Sequence, residues 1–321
     1  MDRQKTLVGK DIQLALDLLK KNELVAIPTE TVYGLAANAL SPEAVVKIFE
    51  VKQRPFFDPL IVHVHSVEEI QKYVTYVPMA VYELAKYFSA ITYVLPKQDI
   101  IPDIVTSGHN TVGIRIPGHP LTLELLKKLD FPLAAPSANP FGYVSPTTAQ
   151  HVLDSLGGKI PYILDGGTCK IGVESTIISF ETEIPTILRL GGTTVETIEE
   201  IIGKVDVNIQ SKNNPDAPGM LETHYAPHVP LYLEKCPPEY SYDEIGVIAF
   251  ERYHERVPIH QQFVLSPTGD LSEAARNLFH ALRSLDNMPI KAIVAEIFPE
   301  KGLGKAINDR LRRASVKRLR K

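Results

Sequence analysis

The chain is poor in the features that mark export, membranes and metal frameworks. Among its 321 residues only Cys169 and Cys236 are cysteines, and no CxxC pair occurs. A disulfide framework and a thiolate zinc site are therefore not expected. No apolar run approaches the ~18 to 20 residues that a membrane span needs. The N-terminus, MDRQKTLVGKD, has neither a signal-peptide apolar region nor an Arg/Ser-rich transit pattern. These absences set the expectation of a protein of the reducing cytoplasm with no membrane partner. The common nucleotide signatures are missing too, with no GxxxxGK[ST] loop and no GxGxxG fingerprint. Without a GxSxG elbow, acyl-enzyme chemistry is not expected either.

What is present is ordinary in bulk, with 44% hydrophobic and 22% charged residues, as in a globular protein. The length exceeds what one compact core usually covers, so two domains are expected. The net charge of −4 hides an asymmetry. Residues 301–321 hold nine Lys or Arg and one Asp, a balance of +8, leaving −12 on residues 1–300. This basic end reads as a helix over 304–319 with Ile307, Leu311, Ala314 and Leu319 inward and its cations in solvent. The other reading is a nucleic-acid patch able to contact RNA.

Hydropathy patterning alternates helices and strands. Strand patterns fall at 24–28, 60–64, 91–95, 111–116, 133–135, 162–164, 175–180 and 186–190. Helical patterns fall at 11–21, 42–51, 67–73, 78–88, 120–129, 146–156 and 195–202. The implied fold is α/β, a twisted mixed sheet with covering helices, over residues 1–208. Over 209–230 periodicity stops in a polar, Pro-rich stretch that contains His-Tyr-Ala-Pro, with the composition of a linker. Strand patterns at 246–250, 263–266 and 290–297 and helices at 271–285 and 304–319 then give a smaller Rossmann-like α/β domain over 231–321.

The residues that could carry chemistry cluster at strand ends. Lys52 and Arg54, two apart after a helix, can both reach one phosphate, one as a point charge and one as a fork. His63, inside LIVHV, reads either as a core residue or as a site residue. No second His or carboxylate stands at ligand spacing beside it, so no protein-built metal centre is expected. Thr111 and Arg115 share a strand face, and Arg115 needs a partner, either a bound carboxylate or an internal ion pair. The run Ala135-Pro136-Ser137-Ala138-Asn139, followed by Ser145, enters a helix with groups that can cradle phosphate oxygens. Ser175, after Glu174, and Arg189 stand at further strand ends.

In order along nearly the whole chain, PTETVYGL, KQRPFFDPL, APSAN with SPTT, ESTI, the HYAP linker and GLGKAINDRLRRA resemble the YrdC-like L-threonylcarbamoyladenylate synthases in their long, two-domain form. The resemblance implies an enzyme that makes threonylcarbamoyl-AMP from threonine, bicarbonate and ATP, with magnesium on the phosphates. It also implies hand-off to a tRNA threonylcarbamoyl-transferase complex. It assigns Thr31, His63, Arg115, Ala135 and Ser175 to threonine, and Lys52, Arg54, Asp58, Thr111, Ser137, Asn139, Ser145, Arg189, His224 and Tyr225 to ATP. Lys52 and Arg54 are the residues expected to carry catalysis. The family pattern breaks at Phe88-Ser89-Ala90, where relatives have Pro-Gly-Pro before the hydroxyl matched by Thr92. The rival readings are an RNA-binding module of the same fold and a carbamoyl transferase, whose acylphosphatase and zinc-finger segments are missing here.

Overall fold

The computed structural model describes residues 5–209 and 224–315. The first domain runs β1 (Leu7–Gly9), α1 (Ile12–Lys20), β2 (Val25–Ile27), β3 (Gly34–Asn38), α2 (Pro42–Lys52), β4 (Ile61–His63), α3 (Val67–Ile70), α4 (Met79–Ala85), β5 (Ile91–Pro96), α5 (Asp103–Thr106), β6 (Thr111–Arg115), α6 (Pro120–Lys127), β7 (Leu133–Ala134), α7 (Ala149–Leu156), β8 (Tyr162–Leu164), β9 (Thr176–Ser179), β10 (Thr186–Arg189), α8 (Val195–Ile202) and β11 (Asp206–Val207). Its strands form one 11-stranded mixed sheet in the order β1-β8-β2-β3-β7-β4-β6-β5-β9-β10-β11. The second domain contributes β12 (Leu231–Leu233), β13 (Ile245–Ala249), β14 (Gln262–Val264), α9 (Leu271–Asp286), β15 (Ala292–Ala295) and α10 (Leu303–Ala314). Its 4-stranded sheet, β12-β15-β13-β14, is parallel throughout. Among the described residues no helix is long and apolar enough to cross a membrane.

Side-chain caps fix where helices begin. Asp11, Ser41, Thr148, Thr194 and Asp270 each accept a backbone N–H from the first turn that follows, and Pro42 occupies the first turn of α2. These caps satisfy donors that have no partner within the helix. Thr148 also explains why α7 starts three residues later than the expected 146.

Several elements depart from the sequence expectation. Gly34–Asn38 is a buried strand, although GLAAN holds no β-branched residue; pairing with β2 and β7 makes it one, against propensity. Thr31 therefore lies in the connection between two antiparallel strands. The short elements β1, β11, β12 and α5 carry too few residues for a period to show. The larger correction concerns α10. Ile307, Leu311 and Ala314 face inward as expected, but Arg310 is 0% exposed and Arg313 is 7% exposed. The helix lies against the first domain, where Arg310 pairs with Glu174, while Arg313 pairs with Asp309 of the same helix, instead of entering solvent. The last residues expected in this helix, 316–319, and most of the linker, 210–223, lie outside the described residues.

The two domains share packing. Val32, Val144 and Val173 join the apolar cluster of Tyr225, Leu278, Phe279 and Phe298. From α9, Arg283 is buried and donates to the carbonyl oxygens of Val144 (2.6 Å), Ser145 (3.3 Å) and His151 (3.3 Å).

Candidate active site

Sheet order brings together residues far apart in sequence. β4 and β6 are parallel neighbours with His63 opposite Arg115, and antiparallel β5 sets Thr92 opposite Arg115 from the other side. Ser175 immediately precedes β9, the parallel neighbour of β5, and Arg189 closes β10. Ala135 follows β7. These strand ends wall a cavity of about 50 Å³, closed on one side by His224 and Tyr225.

One side of the cavity is a network of hydroxyls and one ion pair. Arg115 Nη2 donates to Glu30 Oε1 (2.6 Å) and to Thr31 Oγ1 (2.9 Å), and its Nε donates to the Ser89 carbonyl (3.3 Å). Of the two partners open to Arg115 in the sequence, the internal carboxylate is thus realised. Glu30 also accepts the Gly118 N–H (2.7 Å). Burial pushes the Glu30 carboxyl up, but Arg115 and these donors outweigh it and hold it below its usual range. Thr92 and Ser175 hydroxyls meet at 2.8 Å, so the divergent Phe88-Ser89-Ala90 turn still delivers both a carbonyl to Arg115 and the Thr92 hydroxyl to Ser175. His63 lies 3.2 Å through Nδ1 from the Ile61 carbonyl. Because a carbonyl only accepts, Nδ1 carries the hydrogen. Burial, then Arg115, push His63 down to about 3, so the ring is neutral.

The other side is cationic. Lys52 ends α2, and Gln53 follows in the left-handed region (φ 54), a turn that puts Lys52 and Arg54 on one side although only one residue separates them. Lys52 Nζ donates to the carbonyls of Ser137 (2.5 Å) and Asn139; burial pushes it well below its usual range. Arg54 donates to the Asp58 carbonyl (3.0 Å) and the Pro59 carbonyl (2.7 Å). Its Nη2 also stands 2.9 Å from Asp58 Oδ2, but off the line of a hydrogen bond. Neither Asp58 carboxylate oxygen nor Asn139 Oδ1 receives a donor, although all are buried. Arg189 donates to the Ser175 carbonyl (3.1 and 2.9 Å) and hydroxyl (3.1 Å). Ser145 is fully buried and donates to Glu174 Oε1 (2.6 Å).

Of the residues singled out in the sequence, His63, Arg115, Ala135, Ser175, Arg54, Ser137, Arg189, His224 and Tyr225 line the cavity. Thr31, Lys52, Asp58, Asn139 and Ser145 stand one bond or ion pair behind that wall. Thr111 does not join them. It shares a face with Arg115 but lies roughly 13 Å along the strand, half-exposed and opposite Pro96. Glu30, Glu174 and Arg310 are the groups that sequence reasoning missed or left without a role. The ion pairs that join Glu30 to Arg115 and Glu174 to Arg310 span 85 and 136 residues, so no local spacing signals them.

His224 and Tyr225 are tethered on both sides. The His224 N–H donates to the Arg313 carbonyl (3.1 Å) and the Ala226 N–H to the Gly142 carbonyl (2.8 Å). Burial, then neighbouring Arg54, Lys52 and Arg189, push His224 down to about 3. With both rings seated, the cavity is far below the ~300 to 1,000 Å³ of sites that hold ligands of nucleotide size. Among the described residues no cluster of three or more His, Cys, Asp or Glu could hold a metal ion by itself.

A family model described as "Telomere recombination", covering Sua5, YciO and YrdC proteins, matches residues 17–191. A second, described as "Threonylcarbamoyl-AMP synthase, C-terminal domain", matches residues 193–316. The threonylcarbamoyl-AMP synthase of Bacillus subtilis is 42% identical over 95% of this chain and 92% of its own length. That of Pyrococcus abyssi is 40% identical over 96% and 95%. The crystal structure of P. abyssi Sua5 complexed with L-threonine superposes with a TM-score of 0.88 at 38% identity, covering 97% of this chain and 98% of that one.

Proposed function

The chain belongs to the Sua5/YrdC family of threonylcarbamoyl-AMP synthases, in the two-domain form, and from that premise we propose how its cavity serves the reaction. The enzyme joins L-threonine, bicarbonate or carbon dioxide, and ATP into L-threonylcarbamoyl-AMP, releasing pyrophosphate. This is the first step toward threonylcarbamoyl-adenosine beside the anticodon of tRNA. The observation that carries the reading is one cavity with two unlike sides. A hydroxyl and guanidinium network at Thr31, His63, Arg115 and Ser175 faces a cluster of Lys52, Arg54 and Arg189.

The threonine amine captures carbon dioxide, and an oxygen of the resulting carbamate attacks the α-phosphorus while pyrophosphate leaves. No protein nucleophile is required. Catalysis is then positioning and charge neutralisation, where orienting two bound reactants contributes roughly 7 to 11 kcal/mol. Arg115 and the Ser175 and Thr31 hydroxyls orient the amino acid. Neutral His63 can accept a hydrogen bond there without adding charge. Lys52, Arg54 and Arg189 meet the phosphates, each charge-assisted bond contributing about 1.5 to 3 kcal/mol.

Magnesium accompanies the triphosphate. The buried Asp58 carboxylate oxygens and Asn139 Oδ1 lack donors, and as hard oxygen atoms they would hold a magnesium ion brought in with the nucleotide. When bound, the ion would draw charge from the leaving pyrophosphate. Because the cavity is small while His224 and Tyr225 are seated, this step withdraws for ATP to enter and returns over the labile product.

The product passes to a tRNA-directed threonylcarbamoyl transferase. Direct tRNA contact through α10 draws no support from Arg310 and Arg313, which are buried and paired internally. The decisive assay is mass spectrometry of the product formed from ATP, threonine and labelled bicarbonate. Lys52→Ala and Arg54→Ala are expected to abolish threonine-dependent pyrophosphate release; full activity in both would refute the phosphate role.

A further inference from the structure

The second domain contributes one buried cation directly behind the cavity wall. Arg310, from α10, is 0% exposed. Its Nε donates to Glu174 Oε2 (2.8 Å) and its Nη1 to Asp309 Oδ2 (2.8 Å). Its guanidinium carbon stands 5.1 Å from the centre of the Tyr225 ring, which covers the pair from the cavity side.

Glu174 is the carboxylate that lines the cavity on its phosphate side. Its two oxygens are both engaged, one by Ser145 of the first domain and the other by Arg310 of the second. Burial would raise its pKa, but Arg310, then Arg189 and the Ser145 hydroxyl, hold it below the usual range. The carboxylate is therefore ionised, and it sits among the cations that the triphosphate needs.

We propose that Arg310 is a positioning residue for adenylation: it holds the Glu174 carboxylate against the second domain, so that Arg189 and Arg54 meet the nucleotide phosphates instead of Glu174. The inference rests on the adenylating function proposed above. A buried carboxylate that loses its main partner turns to the nearest remaining cation, because an uncompensated buried charge is costly. Here that cation is Arg189, whose charge already acts on Glu174. The threonine side is less exposed to such a change. Ser175 Oγ keeps its bond to Thr92 when Arg189 turns away, and Arg115 has its own carboxylate in Glu30. The second domain thus acts on the nucleotide without touching it.

The test is steady-state pyrophosphate release by the full chain, with the unmodified protein in parallel. If the unmodified protein shows no threonine- and bicarbonate-dependent release, the proposed function fails on its own, apart from the role of Arg310. Arg310→Gln is expected to raise KM for ATP at least about tenfold while KM for threonine moves less than about twofold. Adding Glu174→Gln removes the stray carboxylate and is expected to bring KM for ATP back to within about threefold of the unmodified value. A merely structural Arg310 predicts neither the split between substrates nor that recovery. The proposal is overturned by an Arg310→Gln protein with unchanged KM for ATP, by equal losses for both substrates, or by a double variant as impaired as the single one. Should Arg310→Gln fail to fold, the double variant, which removes both partners of the pair, decides alone: KM for ATP within threefold supports the proposal, and a tenfold rise overturns it.

Discussion

His63 and His224 show how burial decides what a residue does. Both are held neutral, down to about 3, first by burial, while the unfolded chain titrates near the usual value of about 6.5. Between those values the unfolded chain takes up protons that the native one refuses. Stability is thus present above about pH 6.5 and falls as pH drops toward 3, by up to ~1.4 kcal/mol per pH unit for each ring. Urea midpoints at pH 7.5 and 5 check this; His151, pushed down to about 4 by burial, adds to the same slope, so His224→Asn is expected to remove about a third of the histidine share. Glu30→Gln tests the ion pair hidden from the sequence. It leaves Arg115 buried without its carboxylate and is expected to cost about 3 to 5 kcal/mol in the same denaturation experiment. At this scale the sequence showed which residues have chemistry but not how their charge is met. Arg115 needed a partner on any reading, but only the fold selects Glu30, 85 residues away.

Elements set the directions in which those residues point. The left-handed Gln53 between Lys52 and Arg54 is exposed and strained for a residue with a Cβ. Gln53→Gly is expected to stabilise the protein by about 0.5 to 1 kcal/mol without loss of turnover, read as a raised melting temperature. Gly191 is the opposite case. A Cβ there would stand 2.3 Å from the Glu174 carbonyl and 2.4 Å from the Ser175 and Thr176 backbone. Gly191→Ala is therefore expected to destabilise by more than about 2 kcal/mol and to lower turnover, because it pushes the segment that receives Arg189. Helices and apolar strands were legible because caps and period-2 runs are local signals. β3 was not, since GLAAN becomes a strand only through its neighbours. Thr111 shows a related limit, for residues that share a strand face are not thereby at one site.

At the scale of the molecule, two sheets are joined by a shared apolar seam and by cations from the second domain that reach into the first. Charge asymmetry pointed to a basic end, but not to its turning inward, because a helix's own pattern does not reveal a carboxylate on another domain. A chain ended after Asn208 would expose Val32, Val144 and Val173, and it is expected to melt at lower temperature, to aggregate and to lose turnover, as scattering and pyrophosphate release would report. The three carbonyls that Arg283 serves carry a separate consequence for heredity. In a lineage that dropped the second domain, the oxygens of Val144 and Ser145 would lose the Arg283 donor at once, before any selection for a smaller enzyme could act, whereas that of His151 would keep the Ser155 hydroxyl. Shedding that domain thus requires earlier substitutions that give the Val144 and Ser145 oxygens new donors or open them to water, and those substitutions bring no benefit while Arg283 is present. The staple acts as a ratchet, easier to acquire than to give up.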